Sequence, residues 1–358
     1  LKIIHKNHII ISERDEHVVT REDVANKAGV SVSAVSRTMN GRGYVAKEKK
    51  EAILNAVKEL GYRPNPLSNS LKIRQTFQLC YFTVNILNSF YMDSFNFMSE
   101  QAVKRGYSMF LLNHFNADQM RHLLMDGMIL SNEADALEFQ DVLGEQFYLP
   151  LVSTSFGLPV IKTRRIPYID VDTYNAMELA LDYLFKMGHH KIAYGTPYSA
   201  KNQVTVQSRN VAFENIMRPV YGKKLSDYIL CTNRDTGKKN MYTQESFFEE
   251  GMNTADIFIQ SGCDATGIVC FNDEFALGFM NRMIRMGYRV PEDISIVGID
   301  GVSKRKYTSP LLTSVALNIK EQAYKGVDTL IDIIDGKRVS SVTSISPYLL
   351  EGESVKKL

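Results

Sequence analysis

The chain is 358 residues long, with 42 Lys+Arg against 40 Asp+Glu and a formal net charge of +2. A composition of 44% hydrophobic and 23% charged residues excludes whole-chain disorder, collagen-like repeats and a disulfide scaffold, and the length predicts roughly two to three domains. No apolar run approaches the roughly 18–20 residues of a membrane span. Leu1–Arg14 lacks the sustained apolar stretch and small-residue cleavage site of a secretory signal. The four cysteines form no C-x-x-C pair and read as reduced thiols, so a cytoplasmic protein without membrane association is expected.

The near-neutral total hides a split at Thr76. Residues 1–76 hold 14 Lys+Arg and 8 Asp+Glu, a net of +6, whereas the remaining residues hold 28 and 32, a net of −4. A small basic segment is joined to a large acidic body, which points to a polyanion as partner of the first part.

In chain order, residues 1–19 form an N-terminal extension with scattered Ile and mixed charge. Thr20 then precedes Arg21-Glu22-Asp23, the spacing of a helix N-cap. Val24, Ala25 and Ala28 predict one apolar face, and Gly29 ends that helix. Ser31 caps a second helix over Val32–Met39. A third runs from Lys47 to Leu60, with Ile53, Leu54, Val57 and Leu60 expected on one buried stripe. Gly61, Pro64 and Pro66 stop it. Two short helices buttressed by a third make a helix-turn-helix over residues 20–64, whose second helix is the expected reader of DNA. Its exposed positions are Val32, Ser33, Ser36 and Arg37. Val32 suits a thymine methyl, and Arg37 suits a guanine edge or a phosphate.

These residues carry a family resemblance. Thr20-Arg21-Glu22-Asp23-Val24-Ala25, Ala28-Gly29-Val30-Ser31, Val35-Ser36-Arg37, Asn40-Gly41 and Leu60-Gly61-Tyr62-Arg63-Pro64-Asn65 resemble the headpiece of the lactose/galactose repressor (LacI/GalR) family. The resemblance implies a transcriptional regulator, expected to be a repressor, in which Thr20, Asn40, Tyr62, Asn65 and Asn69 join the DNA contacts. It also implies that residues 65–76 are a hinge that folds on DNA when two subunits meet. Leu71 would then wedge into the minor groove, and an inserted apolar side chain kinks the duplex.

From Phe77 onward, short apolar runs alternate with helix-period segments. Strands are predicted over Phe77–Val84, Tyr107–Leu112, Gly127–Leu130, Leu149–Thr154, Tyr168–Val171, Lys191–Tyr194, Tyr228–Cys231, Gly267–Phe271 and Ile294–Ile299, with helices over stretches such as Ala176–Met187 and Glu274–Met286. This is an α/β pattern of mostly parallel sheets covered by helices, and its length favours two sheets. The resemblance continues through Leu184-x-x-Met187-Gly188-His189, Phe271-Asn272-Asp273-x-x-Ala276-x-Gly278 and Gly287–Asp300. It implies a two-lobed periplasmic-binding-protein-like core with an N-lobe of residues 77–172 and 316–340 and a C-lobe of residues 173–315 and 341–358. Pro310–Val315 resembles a lobe crossover, the helix Ile319–Ile334 a return pass, and Thr343–Leu350 a single final strand.

Such lobes are expected to close on a small effector, commonly a sugar. Ligands of open α/β sheets bind beyond the carboxyl ends of the strands. The polar and aromatic residues placed there are Asn88, Phe90, Tyr91, Asp172, Asn272, Asp273 and Asp300, and the resemblance adds Arg209, in Ser208-Arg209-Asn210-Val211-Ala212-Phe213, as an effector-binding arginine; the set suits hydroxyl recognition against an apolar platform. Asp273 is also a natural helix N-cap. The family's second Asp after Asp300 is replaced by Gly301.

His189-His190 lies in an expected turn with no third ligand at metal spacing and reads as a surface pair. No metal or cofactor is expected. No nucleophile has a base beside it and no glycine-rich phosphate loop follows a strand, so no enzyme is expected. The leading expectation is a homodimer on a pseudo-palindromic operator, with affinity set by a small effector, a sugar or sugar derivative, in the cleft between the lobes. Two alternatives stand at this level: a solute-binding protein of a transport system, and a regulator controlled by a partner protein.

Overall fold

The computed structural model describes residues 19–41, 43–63, 75–114, 122–132, 136, 139, 149–156, 166–198, 208–232 and 244–358. They fall into two compact units, divided after Gln75.

The first unit contains α1 (Arg21–Ala28), α2 (Val32–Asn40) and α3 (Lys47–Leu60). Thr20 and Asp23 form a reciprocal capping box: the Asp23 amide donates to Thr20 Oγ1 at 3.3 Å and the Thr20 amide to Asp23 Oδ2 at 2.8 Å, satisfying donors that a helix start leaves free. Gly29 ends α1 in the left-handed region, and Ser31 caps α2. Val24, Ala25, Val35, Ile53, Ala56 and Tyr62 form the small core. The expected stripe on α3 is corrected at one position. Leu54 is exposed, and Ala56 is buried in its stead. Ile53 and Ala56 are three residues apart and share a face, whereas Leu54 lies about 100° round the helix.

The second unit holds two six-stranded sheets. The strands are β1 (Gln78–Phe82), β2 (Ser108–Leu112), β3 (Gly127–Leu130), β4 (Leu151–Phe156), β5 (Tyr168–Val171), β6 (Ile192–Thr196), β7 (Ile229–Cys231), β8 (Gly267–Cys270), β9 (Ser295–Asp300), β10 (Thr313–Ala316), β11 (Val342–Ile345) and β12 (Tyr348–Leu350). The first sheet runs β11-β5-β4-β3-β1-β2 and is parallel throughout. The second runs β12-β10-β9-β8-β6-β7 and is parallel except for its edge strand β12. Interior strands β1, β3, β6 and β8 are largely apolar because helices cover both faces, whereas β4 and β10 carry buried Ser and Thr.

The helices are α4 (Ser89–Lys104), α5 (Thr173–Lys186), α6 (Ser208–Tyr221), α7 (Gln244–Ser261), α8 (Asp273–Arg285) and α9 (Ile319–Ile334). Helices α4 and α9 pack together, with α9 lying on β3, β4 and β5; α5 lies on the second sheet. The chain therefore passes between lobes three times, after β5, after β10 and after β11.

Two expectations change. Pro310–Val315, read as a crossover, supplies β10, which pairs with β9. The single final strand over Thr343–Leu350 is two strands on different sheets: Val342–Ile345 pairs with β5, and Tyr348–Leu350 pairs antiparallel with β10. Pro347 stands between them and cannot donate to a ladder.

The C-terminal residues are tied into the second lobe. Lys356 N donates to Ser295 Oγ at 3.1 Å and Leu358 N to the Met187 carbonyl at 2.8 Å. His189 is wholly buried, which corrects its surface reading. Its Nε2 lies 3.0 Å from the Lys356 carbonyl and its Nδ1 2.9 Å from Thr266 Oγ1. The carbonyl can only accept, so Nε2 carries the proton, and burial holds the imidazole pKa below its ordinary value. Among the described residues, no group of three metal-binding side chains occurs, and no helix is long and apolar enough to cross a membrane.

Candidate functional site

On the headpiece, α2 presents Val32, Ser33 and Arg37 to solvent, with Ser36 half-buried. Arg37 folds back along its own helix, Nε donating to the Ser33 carbonyl at 3.3 Å and Nη2 to Ser33 Oγ at 3.3 Å. Both bonds are long and exposed, so they are readily exchanged for a base edge or phosphate. Thr20 is exposed but engaged in its capping box. The structure places Tyr62 differently from a surface contact: its ring is in the headpiece core, and its hydroxyl accepts from Arg21 Nε at 3.2 Å. Asn40 ends α2. Asn65, Asn69 and Leu71 lie outside the described residues.

In the second unit, a cavity of about 190 Å³ opens beyond the carboxyl ends of both sheets. The first lobe lines it with Asn85 and Asn88 after β1, Phe90 and Tyr91 at the start of α4, and Phe156 at the end of β4. The crossovers add Thr173 and Leu317. The second lobe adds Tyr198 after β6, Arg209 on α6, Phe247 on α7, Phe271 and Asn272 after β8, and Asp300 at the end of β9.

Six of the eight expected effector residues thus meet at one cavity: Asn88, Phe90, Tyr91, Arg209, Asn272 and Asp300. Asp172 and Asp273 do not line it. Asp172 is the exposed N-cap of α5, its Oδ1 accepting from the Asn175 amide at 3.0 Å. Thr173, one residue on, faces the cavity in its place. Asn272, not Asp273, caps α8, accepting from the Phe275 amide at 2.9 Å. Asn88 caps α4 in the same way, through the Phe90 amide at 2.9 Å. Each cap occupies the carbonyl half of the amide and leaves an NH2 donor for another partner.

Arg209 is the cation of this wall. Its Nη1 donates to the Phe271 carbonyl at 2.9 Å, its Nη2 lies 3.4 Å from Asp300 Oδ1, and the Phe271 ring stands 4.7 Å from the guanidinium carbon. Burial pushes the Asp300 carboxyl well above the ordinary carboxylate range; Arg209 opposes this, and the charges of Asp273 and Glu274 add to it. The Asp300 backbone is at φ 131°, a strained conformation for a residue with a side chain. Aromatic rings complete the walls: Phe90 meets Phe156 edge-on at 5.2 Å, Tyr198 meets Phe271 edge-on at 5.1 Å, and Phe247 stacks on Phe271 at 5.8 Å. Phe156, Tyr198, Phe247 and Phe271 escape sequence reasoning because they are scattered among ordinary core-like aromatics. Position near a strand end is the one signal for two of them: Phe271 closes the predicted strand Gly267–Phe271, and Tyr198 lies four residues beyond the predicted strand Lys191–Tyr194.

Asp273 lies beneath the cavity as a support. It accepts from Ser314 Oγ at 2.6 Å and from the Val302 amide at 2.8 Å, fixing the turn that follows Asp300. Gly301 in that turn has φ 75°, and a Cβ there would stand 2.5 Å from Ala316 Cβ. The fold leaves no room for the aspartate that the family resemblance leads one to expect. Burial raises the Asp273 carboxyl pKa to about 6. The folded state therefore binds this proton more tightly than the unfolded chain. Its stabilising effect is complete below the ordinary carboxylate pKa and is lost as pH rises through about 6. Asp273→Asn should flatten the fall in melting temperature between about pH 4 and about pH 6; an unchanged slope would remove Asp273 as its source.

Comparison with known proteins now bears on this pairing of a helix-turn-helix with a two-lobed body. Residues 20–65 match the model described as bacterial regulatory proteins, lacI family, and residues 181–355 match the periplasmic binding protein-like domain. The HTH-type transcriptional repressor PurR of Haemophilus influenzae (strain PittEE) is 28% identical over 353 residues, 95% of this chain and 100% of the relative. PurR of Mannheimia succiniciproducens is 29% identical over 355 residues, with the same coverage. Residues 20–65 belong to the LacI family of bacterial regulatory proteins. This protein is a DNA-binding transcriptional regulator and not an enzyme, which sets aside the solute-binding alternative. Its fold is that of the lac repressor dimer bound to operator and the anti-inducer ONPF (TM-score 0.72, 20% identity, 94% of this chain and 99% of that one). It is also that of the CelR–cellobiose complex (TM-score 0.62, 21% identity, 94% and 99%).

Proposed function

We propose that this LacI-family regulator is a cytoplasmic repressor that binds a pseudo-palindromic operator as a homodimer and is controlled by a small carbohydrate in the cavity. One observation carries the effector reading. A buried Arg209–Asp300 pair and two capping amides stand in an aromatic-walled cavity built jointly by the carboxyl ends of both sheets. Fixed donors and acceptors orient hydroxyl groups, while the rings cover a sugar's apolar face. The relatives support the reading by their names: PurR is a repressor, the lac repressor was seen with operator, and CelR with cellobiose.

The headpiece reads DNA through α2, with Val32, Ser33, Ser36 and Arg37 toward the major groove. The hinge adds Asn69 and Leu71 in the minor groove. A single headpiece offers few base contacts, so two are needed for useful specificity. A ligand that favours one lobe arrangement alters the separation of the paired hinges and hence operator affinity.

The test has two arms. Operator affinity should fall steeply with salt as phosphate-bound counterions are released, and a thermal-shift screen of neutral sugars, sugar phosphates and nucleobases should single out sugars. Salt-independent DNA binding rejects the first arm, and a nucleobase hit alone rejects the second. Arg37→Ala should reduce operator affinity by roughly 1–3 kcal/mol if it reads a base; unchanged affinity in a fluorescence-anisotropy titration removes that role.

A further inference from the structure

Beyond the cavity, a separate set of polar contacts joins the two lobes. Ser89, at the first position of α4 in the first lobe, donates from Oγ to Glu274 Oε1 on α8 of the second lobe at 2.6 Å. Glu274 is only 2% exposed. One turn along α4, Asp93 accepts from the Ser303 amide at 2.9 Å and from Ser303 Oγ at 3.0 Å. Lys304, next to Ser303, places Nζ 3.3 Å from Glu274 Oε1. Ser89 and Asp93 are four residues apart, so they share one face of α4, and that face is turned to the other lobe. None of these five residues lines the effector cavity.

We infer that Ser89, Asp93, Glu274 and Ser303 form a latch that holds the lobes closed without any ligand. The chemistry fits a reversible contact. A buried carboxylate with one hydroxyl and one half-exposed ammonium is incompletely solvated, and it recovers water when the lobes part. Such a group fixes geometry more than it stabilises it. Ser303 is exposed and Asp93 is only half-buried, so their bonds exchange with water at little net cost. The latch thus sets how much closed form exists before an effector arrives. On the effector reading above, a ligand that binds closed lobes gains or loses apparent affinity in proportion to that fraction. The latch itself does not depend on that reading.

The test uses the full chain with no ligand added, followed by amide hydrogen exchange and mass spectrometry. Ser89→Ala leaves the Asn88 cap of α4 in place, and Asp93→Ala changes a half-buried side chain. Each should speed exchange about five-fold, the factor that one hydrogen bond contributes. The rise should occur on both sides of the cleft, at the start of α4 and at residues 300–305. Glu100→Ala, on α4 but outside the latch, should leave both segments unchanged. Ser89→Ala combined with Glu274→Ala should exchange no faster than Glu274→Ala alone. Unchanged exchange in Ser89→Ala and Asp93→Ala, a rise confined to α4, or additive effects in the double variant would each overturn the latch. A failed sugar screen would leave these rates untouched, so the two ideas fail separately.

Discussion

Arg209→Ala should abolish the effector response while leaving effector-free operator binding intact. Arg209 is the meeting point of the second lobe's wall, bonded to the Phe271 carbonyl, paired with Asp300 and covered by the Phe271 ring. Its loss removes a ligand donor and leaves Asp300 buried without its cation. Truncating one partner of a buried pair costs about 3–5 kcal/mol. Here the lower end is expected, because the Asp300 carboxyl is already pushed toward its neutral form. That also fixes the sign with pH: without Arg209, the second lobe should gain stability toward acid, where Asp300 is protonated. Adding Asp300→Asn to Arg209→Ala should restore melting temperature but not the effector response. Arg209→Lys keeps the charge without the planar fork that spans two acceptors, so it should fold well and respond poorly. Calorimetry and operator titration with the identified effector separate these outcomes. A full effector response in Arg209→Ala would remove the residue from the site.

Gly278→Ala should be the most damaging single methyl in the body. A Cβ at Gly278 would stand 1.9 Å from the Phe248 carbonyl oxygen, and one at Gly251 would stand 2.0 Å from the Phe275 carbonyl oxygen. Helices α7 and α8 therefore touch backbone to backbone through two reciprocal glycines. Neither obstacle is a flexible side chain, so the helices must separate. We expect a loss of about 3 kcal/mol, at the upper end for overpacking. The effect reaches the cavity, because Phe247 on α7 and Phe271 before α8 stack on one another there. Gly326→Ala, on α9, is the control. Its nearest obstacle is Ile129 Cδ1 at 3.7 Å, and replacing a helical glycine by alanine should stabilise by about 0.5–1 kcal/mol. Equal melting temperatures for Gly278→Ala and the parent chain would refute the close-packing argument.

Local pattern was enough for much of this protein. The capping signal at Thr20, the glycine stops and the apolar spacing of α1–α3 locate the headpiece, because each is a property of a few adjacent residues. The alternation of apolar runs and helix-period segments identifies the α/β body for the same reason. The positions that follow predicted strands lead to Asn88, Asn272 and Asp300, since the open ends of parallel sheets collect ligands by construction, and the family resemblance leads to Arg209.

Tertiary structure decided what adjacent residues do relative to one another. At Asp172/Thr173 and at Asn272/Asp273, helix-capping geometry chooses which residue caps, which supports and which faces the cavity, and the side-chain types alone permit either assignment. Leu54 and Ala56 exchange expected places because helix phase relative to a distant partner outweighs side-chain size. The split of residues 342–350 between two sheets depends on which edge strands are free to pair. Phe156, Tyr198, Phe247 and Phe271 become one wall only when strands from both lobes end at the same cleft. The charge division at Thr76 is written in the chain itself. The contacts that make the acidic body a cavity with a latch join residues up to 210 positions apart, and no local pattern encodes them.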